Sequence, residues 1–303
     1  MKRSVLVTGV QGFTGRYLAL ELHRAGYEVV GLANRAQPVP IPGVASMHLC
    51  DVLDEAGLIR VMEAVRPDMV AHLAAIAFVT HGDAETIYRT NLQGTRNVLE
   101  AASRCAGQLR SVLLVSSANV YGNATEGVID ETALPDPVND YAVSKLAMEY
   151  VARLYRDRLP ITIVRPFNYT GVGQSESFLL SKIVHHVRRR APLIELGNLD
   201  VARDFSDVRT VVQVYRRLLE TRAAQGATYN VCSGCAYTLE EVLTMVRGLS
   251  RHDFEVRVNP ALVREQEVKR LSGSRAKLER VLGPVPHIPL EDTLRWMLDT
   301  ADV

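Results

Sequence analysis

The sequence predicts an α/β protein, a doubly wound parallel sheet with a smaller C-terminal lobe. Three observations carry this. Short apolar runs alternate with amphipathic segments through the first half of the chain. A glycine-rich stretch sits between the first run and the first amphipathic segment. After Pro166 the alternation loosens, broken by Gly171, Gly173, Pro192 and Gly197.

The elements follow in order. Ser4–Thr8 is an apolar run and Thr14–Ala25 has helical spacing. Glu28–Leu32 is a second run, Ala56–Val65 a helix and Met69–Leu73 a third run. Ala84–Arg104 reads as one long helix, followed by the run Val112–Ser116, the helix Tyr141–Arg158 and the strand Ile161–Arg165. Strands buried on both faces read as continuous apolar runs, as these do. Beyond the break, Ser177–Arg190 and Val208–Thr221 read as helices and Thr228–Val231 as a strand. This assigns residues 1–168 with 206–232 to the sheet domain, and 169–205 with 233–303 to the lobe.

Composition narrows the field. The 303 residues are 47% hydrophobic and 23% charged, with a net charge of +1. That is ordinary for a globular protein and gives no broad attraction to nucleic acid or an anionic membrane. Val5–Val7 follow a basic flank, but Gly9 and Gly12 cut the apolar stretch too early for a signal sequence. No run reaches bilayer length, so a cytoplasmic protein is expected. Cys232 and Cys235 form a lone C-x-x-C without the further ligands a zinc site needs, so no metal is expected. They read as small residues at a strand end, and Arg188–Arg190 as a solvated helix end.

The stretch Thr8-Gly9-Val10-Gln11-Gly12-Phe13-Thr14-Gly15 has G-x-x-G-x-x-G spacing between strand and helix. Glycines there allow a tight turn and close approach of a pyrophosphate to the helix N-terminus. This is a Rossmann-type phosphate loop. At the end of the second strand an acid would bind the ribose hydroxyls of NAD. Leu32-Ala33-Asn34-Arg35 stands there instead, and Arg35 suits a 2′-phosphate, so NADP(H) is favoured over NAD(H). Asp51, after the next apolar stretch, is placed to reach an adenine amino group.

Tyr141-Ala142-Val143-Ser144-Lys145 is a Y-x-x-x-K at a helix start. Residues four apart share a helix face. An ammonium there is expected to lower a phenol pKa that is ordinarily ~10. Such a phenol can exchange a proton with a sugar oxygen. Ser116-Ser117 closes the fourth run.

The loop, Ser117, Tyr141 and Lys145 together resemble the extended short-chain dehydrogenases/reductases that modify nucleotide sugars. The likeness runs over essentially the whole chain, through Asp51-Val52, His72-Leu73-Ala74-Ala75, Asn91, Arg165-Pro166-Phe167-Asn168, Arg203-Asp204-Phe205 and the R-x-x-E of Arg264 and Glu267. It implies that Ser117 hydrogen-bonds the reacting oxygen, that Tyr141 is the acid/base, and that Lys145 holds the nicotinamide ribose. It implies cofactor contacts from Gly9, Gln11, Gly12, Phe13, Thr14 and Gly15, from Asn34, Arg35, Asp51 and Val52, and from Leu73, Ala74, Ala75 and Asn91. It implies substrate contacts from Ser117, Asn119, Asn168, Ser177, Arg203, Arg264 and Glu267. The two helices at 84–104 and 141–158 are the pair that forms a four-helix dimer interface in this superfamily, so the resemblance implies a homodimer.

The residue two past Ser117 separates reactions. Sugar 4,6-dehydratases of this superfamily carry a carboxylate there, and GDP-fucose synthase a cysteine that epimerises carbons. Here it is Asn119, whose amide is neither acid nor base at neutral pH. Ketone reduction or 4-epimerisation remains. The stretch Arg165–Phe178, with Asp200–Asp207 and Tyr229–Gly234, is similar to GDP-4-keto-6-deoxy-D-mannose reductases, which make GDP-D-rhamnose. Some of those carry a carboxylate at the Asn119 position, which leaves a sister reductase forming GDP-6-deoxy-D-talose open. A nucleotide-sugar 4-epimerase and a non-enzymatic NADP-binding sensor are the rival readings.

Overall fold

The computed structural model describes residues 2–77, 83–122, 127–263 and 270–300. In chain order it contains β1 (Ser4–Thr8), α1 (Phe13–Arg24), β2 (Glu28–Ala33), β3 (Ser46–Leu49), α2 (Glu55–Val65), β4 (Met69–His72), α3 (Ala84–Tyr88), α4 (Gly94–Ser103), β5 (Ser111–Val115), β6 (Val128–Ile129), α5 (Asp140–Arg153), β7 (Ile161–Pro166) and β8 (Asn168–Thr170). There follow α6 (Leu179–Arg188), β9 (Leu193–Leu196), β10 (Ala202–Asp207), α7 (Val208–Glu220), β11 (Thr228–Val231), β12 (Ala236–Thr238), α8 (Leu239–Ser250), β13 (Glu255–Val258), β14 (Arg270–Gly273), α9 (Ala276–Leu282) and α10 (Leu290–Asp299).

The expected parallel sheet is present, with seven strands in the order β11-β7-β5-β4-β1-β2-β3. Every pairing in it is parallel. The order reverses between β1 and β4, so the crossovers to either side leave a crevice at the strands' carboxyl ends. Alternate side chains sort the core into two layers. Val5, Val7 and Val29 meet Leu18 and Leu22 of α1 and Val211 and Tyr215 of α7. Leu6, Val30 and Val70 meet Met62 of α2, Val98 of α4 and Met148 of α5. In α7 the buried positions 208, 211, 212, 215, 218 and 219 fall on one stripe, which fixes the face it turns inward.

A second sheet runs β12-β10-β14-β6, with β8 also on β10, and β9 pairs β13. The helices α6, α8 and α10 close over its own apolar cluster, centred on Ile183, Val242 and Leu294. The short strand β6 joins this second sheet, while Leu278 of α9 packs in the core of the first. No helix among the described residues is long and apolar enough to cross a membrane.

Three segments differ from the periodicity. The long helix expected over 84–104 is interrupted by a π turn, Arg89–Gln93. The Asn91 side chain inside that turn accepts from Ile76 N at 2.8 Å and donates to Ile76 O at 3.1 Å, a tertiary tie invisible to spacing. The helix expected to reach Arg158 ends at Arg153. The edge strand β3 is mostly exposed, so it lacks the buried-strand signature.

Candidate active site

The phosphate loop is built by close backbone contacts. Gly9 adopts φ +67°, and a Cβ there would lie 2.8 Å from Ala74 N. A Cβ on Gly15 would strike the Gly9 carbonyl oxygen and the Val10 backbone. Larger residues at either place would push β1, the β4 extension and α1 apart. Gly12 caps α1 with no side-chain acceptor, so the first-turn N–H groups face the crevice with the helix dipole behind them. A diphosphate fits this cradle. Gln11 Nε2 donates to Arg35 O at 2.8 Å, which brings the end of β2 beside the loop. Asn34 and Arg35 are exposed there. Asp51 is exposed and its carboxylate accepts from Leu53 N at 2.9 Å, a turn that presents Val52 against Gly94.

The end of β4 is fastened by a chain of hydrogen bonds. Thr8 Oγ1 accepts from Leu73 N at 3.2 Å and Ala74 N at 3.1 Å, which leaves its own proton for His72 Nδ1 at 2.7 Å. His72 Nε2–H then points to Thr95 Oγ1 at 3.0 Å, and that hydroxyl donates to Asn91 O at 2.6 Å. Burial, helped by the Lys145 charge, lowers the His72 pKa to about 3, so the ring is neutral. These bonds hold Leu73, Ala74 and Ala75 along the crevice. Asn91 Nδ2 also donates to Ser144 Oγ at 2.9 Å, so the amide positions the β4 extension against α5.

Ser117, Tyr141 and Lys145 converge at the ends of β5 and α5. Asn139 caps α5, its Oδ1 accepting from Ala142 N at 2.9 Å. Tyr141 opens that helix on the face that carries Lys145. Lys145 Nζ donates to Val115 O at 2.8 Å and lies 6.0 Å from the Tyr141 ring centroid. An ammonium at this distance is expected to lower the phenol pKa. Burial instead raises it to about 12, with Ser117 opposing and Tyr169 adding to the rise. Burial also lowers Lys145 to about 8, against the pull of Glu149. At neutral pH the pair is therefore a neutral phenol and an ammonium.

The sequence-predicted substrate residues are spread over several elements. Asn168, on β8, donates to Asp204 O at 3.5 Å. Arg203 sits on β10 with Nη1 on Ala202 O at 3.0 Å. Ser177 is exposed, its N–H donated to Ser175 Oγ at 3.2 Å. Asn119 N donates to Ser117 Oγ at 3.2 Å, and Asn119 is exposed. Arg264 and Glu267 lie outside the described residues. The C-x-x-C has a structural account. Between Cys232 and Cys235, Ser233 N and Oγ each donate to Asp204 Oδ1 at 2.7 Å, and Gly234 N to Oδ2 at 2.9 Å. The loop clamps a fully buried carboxylate, and both thiols are free. No cluster of metal-ligating side chains occurs among the described residues.

Two features escaped the sequence reading. Tyr169 reaches from β8 to donate to or accept from Thr14 Oγ1 at 2.8 Å, and its ring stacks on Phe13. Glu149, one helical turn past Lys145, forms a buried ion pair with Arg165. The spacing Tyr141, Lys145, Glu149 was the available signal, since a polar residue four further on shares their face.

A phosphate loop at the first crossover, with a hydroxyl, a phenol and an ammonium at the ends of β5 and α5, defines a nicotinamide-dependent oxidoreductase of the short-chain type. The comparisons agree. The family model described as GDP-mannose 4,6 dehydratase matches residues 6–297. A GDP-6-deoxy-D-mannose reductase from Pseudomonas aeruginosa is 34% identical, over 98% of this chain and 97% of its own. A GDP-6-deoxy-D-talose 4-dehydrogenase from Aggregatibacter actinomycetemcomitans is 32% identical, over 92% of this chain and 91% of its own. Among solved structures, RMD from Pseudomonas aeruginosa complexed with NADPH superposes with a TM-score of 0.84 at 32% identity, covering 98% of this chain and 97% of its own. A protein from Burkholderia cenocepacia J2315, provisionally named an epimerase, superposes with a TM-score of 0.92 at 52% identity, covering 98% and 97%. The chain belongs to the GDP-mannose 4,6-dehydratase family of extended short-chain dehydrogenases/reductases. It is an oxidoreductase acting on a sugar CH–OH.

Proposed function

We propose that this protein reduces the C4 ketone of GDP-4-keto-6-deoxy-D-mannose with NADPH, giving GDP-D-rhamnose. The observation that carries the reading is the Tyr141 phenol, held protonated by burial and set 6.0 Å, ring centroid to Nζ, from the Lys145 ammonium. A ketone reduction needs a proton donor at the carbonyl oxygen, and a phenol of raised pKa is one. Asn119 supplies neither the acid nor the base that dehydration or carbon epimerisation needs.

The loop Gly9–Gly15 would hold the cofactor diphosphate on the α1 N-terminus, with Asn34 and Arg35 at the adenosine ribose phosphate and Asp51 and Val52 at the adenine. Leu73, Ala74 and Ala75 would line its path to Tyr141 and Lys145. When bound, the dihydronicotinamide supplies the hydride that C4 receives. Ser117 donates a hydrogen bond to O4 as negative charge develops there. Tyr141 passes its proton to O4. Lys145 places a positive charge beside the phenolate that results. Asn168, Ser177 and Arg203 with Arg264 and Glu267 would hold the nucleotide diphosphate of the substrate across the crevice.

The NADP preference rests on Arg35 and on the absence of an acid at the end of β2. The four free thiols suit the reducing cytoplasm, the proposed location. A homodimer is part of the same proposal, through the exposed face of α5 that carries Val143 and Tyr150. A second reading, formation of GDP-6-deoxy-D-talose, is favoured by Asn119 and by the likeness to the talose dehydrogenase.

The deciding assay mixes purified protein with GDP-4-keto-6-deoxy-D-mannose and NADPH, and follows nicotinamide absorbance. Loss of absorbance with one GDP-6-deoxyhexose product supports the reductase, and the C4 configuration read by NMR separates rhamnose from talose. Unchanged absorbance with GDP, dTDP and UDP ketosugars would overturn it in favour of the epimerase.

A further inference from the structure

Beneath the catalytic face lies a buried ionic chain that none of the steps above uses. Glu149 Oε1 accepts from Ser116 Oγ at 2.5 Å and from Arg165 Nε at 2.9 Å, and Oε2 accepts from Arg165 Nη2 at 2.7 Å. The side chains of Arg165 and Glu149 are 6% and 2% exposed. The guanidinium continues over the Tyr121 ring at 4.8 Å, and Tyr121 OH donates to Asn230 Oδ1 at 2.7 Å. The chain thus ties α5, the end of β5, β7 and β11 together.

Burying two charges costs desolvation, and apolar residues of like volume often serve stability as well. Placement is the better reason for this pair. Glu149 lies one turn from Lys145, and its hydrogen-bond partner Ser116 is the residue before Ser117. We infer that Glu149, clamped by Arg165, is a positioning residue for the reaction: it fixes the backbone that presents Ser117 and supplies the anion opposite the Lys145 ammonium. The inference rests on the reductase reading and deepens it.

The groups around Lys145 fit this role. On its own helix are Tyr141, a neutral phenol, and Glu149. From β4 comes His72, neutral and uncharged against the ammonium. From β7 comes Arg165, its guanidinium spent on Glu149 and Tyr121. From β5 come the Val115 carbonyl and Ser116, both uncharged. Burial drives Lys145 toward losing its proton, and Glu149 opposes that.

The test uses NADPH binding, read by nucleotide fluorescence without sugar, and turnover, each across pH. Glu149→Gln is expected to move the pH above which both fall down by about one unit, because Lys145 then releases its proton sooner. Its kcat is expected to fall about tenfold with KM for the sugar little changed. Should E149Q lose its fold, E149Q/R165Q, which removes both charges, carries the same test. Ser116→Ala breaks only the link to the Ser117 backbone and is expected to lower kcat with the pH limb unmoved. An unmoved limb in the Glu149 variants would overturn the inference. Failure of the reductase reading would show differently, as absent turnover in the unaltered protein.

Discussion

At the scale of single residues, the site works by holding each group in one protonation state. Tyr141 keeps its proton because burial raises its pKa to about 12, which suits a donor more than a base. Tyr141→Phe removes the proton and leaves the ring. Its kcat is expected to fall roughly 10²–10⁴-fold, with the NADPH dissociation constant nearly unchanged. Stopped-flow turnover and fluorescence titration check the two halves, and retained turnover would remove Tyr141 from its role. Arg35 permits a sharper test of cofactor choice, since it is exposed at the end of β2 with its carbonyl bound to Gln11. A lost charged hydrogen bond is worth about 1.5–3 kcal/mol, so Arg35→Ala is expected to weaken NADPH by tenfold or more while leaving NADH unaffected. Equal losses for the two nucleotides would assign Arg35 to the surface.

At the scale of elements, the crevice depends on how β1, β4 and α4 are pinned together. His72 bridges Thr8 on β1 and Thr95 on α4 as a neutral ring. Its folded pKa, about 3, lies below the unfolded value of 6.5. The stability tied to it is full above the unfolded pKa and is lost as pH falls, because only the unfolded chain takes up the proton. The melting temperature should drop between about pH 7 and about pH 4, and more gently in His72→Gln, whose amide can still bridge two hydroxyls. Parallel slopes for the two proteins would count against this. Much at this scale was legible in the sequence. The strands of the sheet interior announced themselves as apolar runs, and Gly9, Gly12 and Gly15 as the turn before α1. The π turn around Asn91, the edge strand β3 and the Asp204 clamp were not, because each is set by contacts distant in the chain. Likewise, periodicity marks Glu149 as part of the Tyr141–Lys145 face but cannot tell a buried ion pair from a solvated carboxylate.

At the scale of the molecule, α5 has two unlike faces. One carries Tyr141 and Lys145 toward the crevice, with Glu149 buried beneath them. The other leaves Val143 37% and Tyr150 54% exposed, and Leu154, the residue capping its end, is 70% exposed, the three spaced seven and four residues apart so that they form one stripe. An apolar stripe on a helix that also holds Lys145 is costly to leave in water, and a second copy of the same stripe is a self-complementary cover for it. The proposed homodimer follows, with the catalytic helix braced at its centre. Leu154→Glu puts a charge in that stripe and is expected to convert a species of twice the 33.5 kDa chain mass into one of single mass by light scattering. Cofactor binding should survive, because the phosphate loop lies between β1 and α1 and not on α5, whereas turnover should fall as α5 loses its brace. A single-mass species in the unaltered protein would end the dimer proposal and leave the stripe to another partner.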